Sequence, residues 1–327
     1  MIKAKSFISR NNWVWAALGA LLLSLVMCIT SQRLNLESLI INGYTASFLA
    51  FVALGQMLVV TSGRGAIDLS IPGVITLTAY LSMSVINGQD NMLLPALIMV
   101  VIIGCVIGFL NSMLVIYLRI PPIIATMAMN YILISASLII NRGFTVFNIC
   151  PVLLGVARNR ILGIPIIIYM VIMLAVLIHL MLIKTTYGNS LIAMGQNYRA
   201  AKLAGVRVVK VEILAYVFSS VLAAIGGVLI SARIAGAFLG MGDPYMMETV
   251  ASIVVGGTLM SGGRANTAGT LVGCLFLGLI STAMKIMGLS IRMQNIAKGI
   301  LIILVLAVGM LGGRARRPRR AVAPVEP

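Results

Sequence analysis

The stretch Met92–Leu118, MLLPALIMVVIIGCVIGFLNSMLVIYL, carries no charged residue. A helix rising 1.5 Å per residue needs about 20 apolar residues to cross a hydrocarbon layer of ~30 Å. This run is long enough, and comparable runs recur on either side of it. Separated by short polar breaks, they predict ten spans, at 13–30, 40–61, 71–87, 92–118, 121–140, 164–183, 211–234, 248–261, 267–287 and 294–311. The eighth is too short for a perpendicular crossing and reads as a half-helix packed inside the protein. Broken helices are tolerated at membrane depth only where protein or a water-filled cavity satisfies the backbone.

Composition agrees. Of the 327 residues 61% are hydrophobic and 9% are charged, with a mean hydropathy of +1.10; soluble domains carry roughly 45–50% and about 25%. A soluble fold this apolar could not cover its surface, and a disordered chain would be polar. The predicted class is an all-α polytopic membrane protein of about ten transmembrane helices, some of them short or broken. Five plus five spans would make two inverted repeats. Ser62-Gly63-Arg64-Gly65-Ala66 and Ser261-Gly262-Gly263-Arg264-Ala265 are similar enough to raise that possibility, although such strings also arise by chance in a chain with 32 glycines.

The net charge of +17 would suggest nucleic acid in a soluble protein. Here it is better explained by topology. With the N-terminus inside and alternating spans, the cytoplasmic segments hold Lys3, Lys5, Arg10, Arg64, Arg119, Lys184, Arg199, Lys202, Arg207, Lys210 and Arg264. They also hold the arginines of the tail 312–327. Basic residues hold loops on that side, so both termini are expected in the cytoplasm of a multi-pass inner-membrane protein. The run from Trp13 to Ile29 is expected to be a retained first helix rather than a signal peptide. The tail reads as a basic, disordered topological anchor. Residues 1–311 form the membrane domain.

Cys28, Cys105, Cys150 and Cys274 are widely spaced, and the only histidine, His179, lies in an apolar run. This is structural rather than metal-ligand spacing. No Gly-x-x-x-x-Gly-Lys-Ser/Thr occurs, so the chain holds no nucleotide site of that kind. No nucleophile–base pair appears either, and the chain reads as non-catalytic and without its own cofactor. Gly104 with Gly108, and Gly269 with Gly273, are small-residue steps suited to close helix packing, within the chain or at a dimer face.

The most informative polar island is the loop at about 184–210, between spans six and seven. Asn197 suits an N-cap, Tyr198 to Ala204 are mostly good helix formers, and Gly205 supplies a left-handed stop. A two-turn helix this short needs tertiary support or a partner. Docking on a partner and simple interfacial placement are both open at this point.

Around this helix stand Gly188, Ala193-Met194-Gly195-Gln196-Asn197 and Ala200-Ala201-Lys202-Leu203-Ala204-Gly205. The segment resembles the coupling loop of the membrane permeases of carbohydrate-class ABC importers, which include ribose, xylose, galactose and autoinducer-2 systems. Further strings agree in order: Ile67-Asp68-Leu69-Ser70; Phe109-Leu110-Asn111 followed by Leu118-Arg119-Ile120-Pro121-Pro122 and Ile124-Ala125-Thr126; and Gly256-Gly257-Thr258 with Ser261-Gly262-Gly263-Arg264. The resemblance covers about residues 50–310. Departures lie at Ile71-Pro72-Gly73, at Arg64-Gly65-Ala66 and at Ser112. The resemblance implies a translocation pathway for a sugar or sugar-like solute, with branched-chain amino acids or nucleosides as the related alternative. An ion-coupled secondary transporter is a more distant one. It implies a separate ABC ATPase subunit that binds ATP and magnesium, a periplasmic solute-binding protein, and a second permease copy or paralogue in a homo- or heterodimer. It assigns Asn197, Tyr198, Arg199, Ala200, Ala201, Lys202 and Gly205 to the ATPase-coupling helix.

Other polar residues are open to two readings each. Asp68, with Ser70, suits either a pathway gate or the capping of a re-entrant turn, in which Arg64 would pair with Asp68. Asn111 and Asn130 suit interhelical hydrogen bonds or contact with a solute in transit. Asp243 reads as an N-cap before Pro244, and Glu248 as an exposed acid one turn later. Both suit contact with a binding protein, or with the positive end of their own helix.

Overall fold

A computed structural model describes residues 17–24, 36–141, 148–290, 292–294, 296–300 and 303. Most of the expected first and tenth spans, and the whole tail, lie outside these residues. The described chain is helical apart from one tiny hairpin. The helices are α1 (Leu36–Thr61), α2 (Ile71–Ile86), α3 (Leu93–Ile116), α4 (Pro122–Asn141), α5 (Pro151–Arg158), α6 (Ile166–Lys184), α7 (Thr186–Gln196), α8 (Tyr198–Leu203), α9 (Val208–Ile234), α10 (Asp243–Val255) and α11 (Thr267–Ile286). Strands β1 (Arg160–Ile161) and β2 (Ile164–Pro165) pair antiparallel, with Ile161 opposite Ile164.

Among the described residues six helices are long and apolar enough to span: α1, α3, α4, α6, α9 and α11. The polytopic all-α class is therefore what the fold shows. The expected spans at 71–87 and 248–261 are shorter, as α2 of 16 residues and α10 of 13. At 1.5 Å per residue α10 reaches only ~20 Å, which fits the expected half-helix. It begins five residues earlier than the expected span and stops at Gly256, where the chain turns through Gly257 at φ +87°.

Burial separates inner from outer helices. α1 and α9 form the interior, while α3 and α6 are mostly uncovered. On α3 the exposed stripe Leu94, Ile98, Ile102 and Val106 opposes the buried stripe Ala96, Val100, Gly104 and Gly108. Both stripes are apolar or small, which is the pattern of a helix wetted by lipid on one side. Lipid offers no hydrophobic drive between helices, so close backbone approach must hold them. A Cβ on Gly104 would lie 2.8 Å from the Cα of Val221, and one on Gly108 would lie 2.5 Å from the Cα of Val217. Gly269 and Gly273 likewise press on the backbone of Gly256 and Ser252. Both small-residue steps thus pack within the chain. Cys105, Cys150 and Cys274 are free, and His179 Nδ1 lies 3.2 Å from Thr267 Oγ1.

Candidate functional site

At one end of the bundle the chain leaves α6 and makes the α7–α8 segment. Thr185 caps α7, its Oγ1 accepting from the amide of Gly188 at 3.2 Å. Asn197 ends α7 and starts α8 with an extended backbone, and its Oδ1 accepts from the amide of Ala200 at 3.1 Å. α8 closes at Leu203, one residue earlier than expected. The amide of Gly205 donates to Lys202 O at 3.1 Å and that of Val206 to Ala201 O at 3.0 Å. With Gly205 at φ +83°, this is a Schellman ending. The capping chemistry read from the sequence is therefore present on both sides of α8.

The faces of α8 divide its residues. Arg199, Ala200 and Lys202 are exposed, whereas Ala201 is buried at 6% exposure against the rest of the chain. The resemblance assigned both alanines to the coupling helix; of the two, only Ala200 is exposed, and Ala201 packs inward. The sequence reading also passed over Leu203, which is 90% exposed. The signal was available: an isolated leucine in a capped polar segment between two spans, flanked by Lys202 and followed by Arg207. Tyr198 is half-buried, and the guanidinium of Arg64 sits 4.6 Å above its ring centre.

Beneath α8, three distant pieces of chain meet through glycine. The amide of Gly263 donates to Thr61 O at 2.9 Å, and Gln196 Nε2 donates to Gly263 O at 3.3 Å. A Cβ on Gly195 would strike Thr61 O and Gly263 N. One on Gly262 would strike the Cα of Gly63, and one on Gly63 would lie 3.0 Å from the Cα of Gly195. The two similar strings at 62–66 and 261–265 therefore touch each other and the end of α7.

Just inside this junction the break between α1 and α2 dips into the protein. Asp68 is 1% exposed. Its Oδ1 accepts from the amide of Ser70 at 3.0 Å and from Ser70 Oγ at 2.5 Å, and its Oδ2 accepts from Ser219 Oγ at 2.8 Å. The expected pair with Arg64 is not formed: Asp68 has no ion pair among the described residues, and Arg64 turns outward onto Tyr198. Three donors stand in for water around the carboxylate instead. Asn111 Nδ2 donates to Ser70 Oγ at 2.8 Å, and Asn130 Oδ1 accepts from the amide of Gly73 at 2.7 Å, satisfying the first turn of α2. The amide of Leu69 donates to Thr126 Oγ1 at 3.0 Å and that of Asp68 to Gln56 Oε1 at 3.3 Å. Asp68, Ser70, Asn111 and Asn130 are thus one buried network joining α1, α2, α3, α4 and α9. Thr126 was quoted only as part of a string, and Gln56, Ser219 and the buried Glu212 were missed: Gln56 stands alone in an apolar run, Ser219 sits next to Ser220 as an ordinary small polar step, and Glu212 follows the basic residues Arg207 and Lys210. The Glu212 Oε2 and Asn111 Oδ1 atoms find no hydrogen-bond partner among the described residues.

Asp243 and Glu248 lie on α10, away from that network. The N-cap is Gly242, and Asp243 is the first helical residue, so the expected capping role shifts by one position. Asp243 is exposed. Glu248 is not the free acid expected, since its Oε1 accepts from Lys298 Nζ at 2.6 Å and the two side chains are 21% and 25% exposed.

Residues 35–306 match the family model described as "Branched-chain amino acid transport system / permease component". Among curated proteins, the ribose import permease protein of Bacillus subtilis (strain 168) is 29% identical over 307 residues, covering 88% of this chain and 89% of that protein. An inner membrane ABC transporter permease protein of Escherichia coli (strain K12) is 30% identical over 319 residues, covering 92% of each. The autoinducer 2 import system permease protein of Shigella flexneri is 27% identical over 312 residues, covering 95% of this chain and 89% of that one. No solved structure matches the chain.

Proposed function

Because the chain belongs to the family of branched-chain amino acid transport system permease components, we propose that it lines the import pathway for a sugar or sugar-like solute. In this reading it is the membrane subunit of an ATP-driven, binding-protein-dependent importer. It works as a homo- or heterodimer with a separate ATPase that binds ATP and magnesium, and with an external solute-binding protein. Both termini and the α7–α8 segment lie in the cytoplasm, the side on which basic loops are retained. The sugar class is supported by the relatives named for ribose and autoinducer 2 import.

The observation that carries the reading is α8 itself. A helix of six residues is too short to stand alone, yet this one is capped at both ends, rooted on α7 and presents Leu203 to solvent. Burying that leucine in a partner's apolar cleft would be favoured by the apolar surface it removes from water. ATP hydrolysis in that partner would then pull on the glycine junction and, through it, on the α1–α2 break. Asp68, Ser70, Asn111 and Asn130 are proposed to keep that break in shape beside the pathway. Asp243 is proposed to face the binding protein on the other side.

The test is uptake into proteoliposomes holding the permease, its ATPase and its binding protein, with labelled sugars and labelled branched-chain amino acids offered in parallel. ATP-dependent sugar uptake is expected. The family description gives the amino-acid alternative a specific basis, and uptake of leucine instead of sugar would select it. Uptake driven by a proton gradient with no ATPase present would overturn both.

A further inference from the structure

A cleft of about 390 Å³ opens where α7, the turn after α8 and the start of α9 converge. Arg207 and Lys210 stand on its α9 side, and Thr186 and Ser190 on its α7 side. Neither cation has an acidic partner among the described residues. Arg207 is the N-cap of α9, and no side chain caps that helix; the Val208 amide donates to Val206 O at 2.8 Å, and the N-terminal turn of this 27-residue helix borders the same space. Tyr187 also lines the cleft, and its hydroxyl is buried without a hydrogen-bond partner. Two cations, the hydroxyls of Thr186 and Ser190 and a helix N-terminus form a donor set for a phosphate.

One side of the cleft is apolar. Leu214 lines it, and Leu214 and Phe218 are both exposed further along α9, a helix long and apolar enough to span. The Phe218 ring lies 5.8 Å from that of Tyr187. A phosphate bound here would have an apolar wall running from it toward the hydrocarbon. We propose that the cleft binds the headgroup phosphate of an anionic phospholipid of the cytoplasmic leaflet, whose acyl chains lie along Leu214 and Phe218. The inference rests on the cytoplasmic placement of the α7–α8 end in the functional reading above. It would also place a lipid beside the turn, Ala204 to Val206, that ends the coupling helix.

The experiment uses the permease alone, so its outcome is independent of ATPase coupling. The protein is reconstituted in nanodiscs of mixed phosphatidylglycerol and phosphatidylcholine, released, and its retained lipid identified by native mass spectrometry. Wild type should retain phosphatidylglycerol preferentially. Arg207→Gln combined with Lys210→Gln should lower that preference roughly tenfold or more, given the attraction each basic residue exerts near an anionic surface. Tyr187→Phe, which removes a hydroxyl sealed behind the cleft wall and keeps the packing, should leave it unchanged. Arg119→Gln, an exposed cation outside the cleft, should leave it unchanged. An equal loss in Arg119→Gln would show general surface charge and overturn the site. Inorganic phosphate binding to protein in pure phosphatidylcholine discs, as tightly as the lipid does, would make the ligand a free anion and overturn the headgroup assignment. Wild-type lipid retention in the double variant would overturn the site; if a separate pull-down also showed lost ATPase co-purification, the cleft would belong to the ATPase instead.

Discussion

The amide of Gly263 donates to the carbonyl of Thr61 across 2.9 Å, tying the loop before α11 to the last residue of α1. Gly195, at the end of α7, is packed against both. In a lipid-embedded bundle the contacts that fix one segment to another are steric and polar rather than hydrophobic. The absence of side chains at 63, 195 and 262 is therefore what allows these backbones to meet.

Gly195→Ala should accordingly be destabilising out of proportion to one methyl group. Its Cβ would strike Thr61 O and Gly263 N, both backbone atoms that cannot rotate away. Overpacking of this kind costs about 1–3 kcal/mol. Gly278→Ala on α11 is the matched control, since its Cβ would rest 3.6 Å from the Cβ of Ala46 in ordinary contact. Thermal unfolding in detergent should show a lower midpoint for Gly195→Ala only. Equal midpoints would mean the junction yields to side chains and transmits little.

α8 offers a second discrimination. Leu203→Glu places a carboxylate in solvent and should leave folding and membrane insertion intact while abolishing ATPase co-purification and solute-stimulated hydrolysis. Ala201→Glu acts differently, because Ala201 is buried within the chain. It should lower stability by several kcal/mol through an unpaired buried charge. Stable, fully coupled Leu203→Glu protein would remove the coupling role from this helix.

How much was readable in the sequence follows the range of the forces involved. The ends of α8 were legible because Asn197 and Gly205 act on backbone groups within three residues. The six long helices found among the described residues were legible because length and polarity decide them. The facing of Ala200 and Ala201 was not, since a six-residue helix gives too little periodicity to set its phase. The partner of Glu248 is Lys298, fifty residues away, and nothing local marks it. The glycine strings at 62–66 and 261–265 were visible as similar sequences, but only the fold brings them together, at the end of α7.

The Glu248–Lys298 pair supplies a third prediction. Both side chains are partly buried and 2.6 Å apart, so the pair is screened less than an exposed one. A double-mutant cycle with Glu248→Gln and Lys298→Met should return a coupling of about 1 kcal/mol. Asp243→Lys, at an exposed position on the same helix, should leave the unfolding midpoint unchanged and weaken uptake at limiting binding-protein concentration. Unaltered uptake in Asp243→Lys would take that residue out of the binding-protein contact.

Asp68 gives the sharpest test of what the buried network does. Its two oxygens accept from three donors, on Ser70 and on Ser219, and none of these donors has access to water. Asp68→Ala strands all three, at roughly 1–3 kcal/mol for each group left unpaired. Asp68→Asn keeps one carbonyl oxygen for Ser70, and the Ser219 hydroxyl can rotate to accept from the new amide. The expected order of stability is wild type, then Asn, then Ala, with the alanine variant poorly folded. Arg64→Ala should leave this order untouched, because Arg64 reaches Tyr198 and not Asp68. Transport separates the two roles still open for the carboxylate. If Asp68 only shapes the α1–α2 break, the asparagine variant should retain most of its ATP-driven uptake once its amount in the membrane is matched to wild type. A matched asparagine variant that folds, couples hydrolysis and moves no solute would make the charge itself part of the pathway.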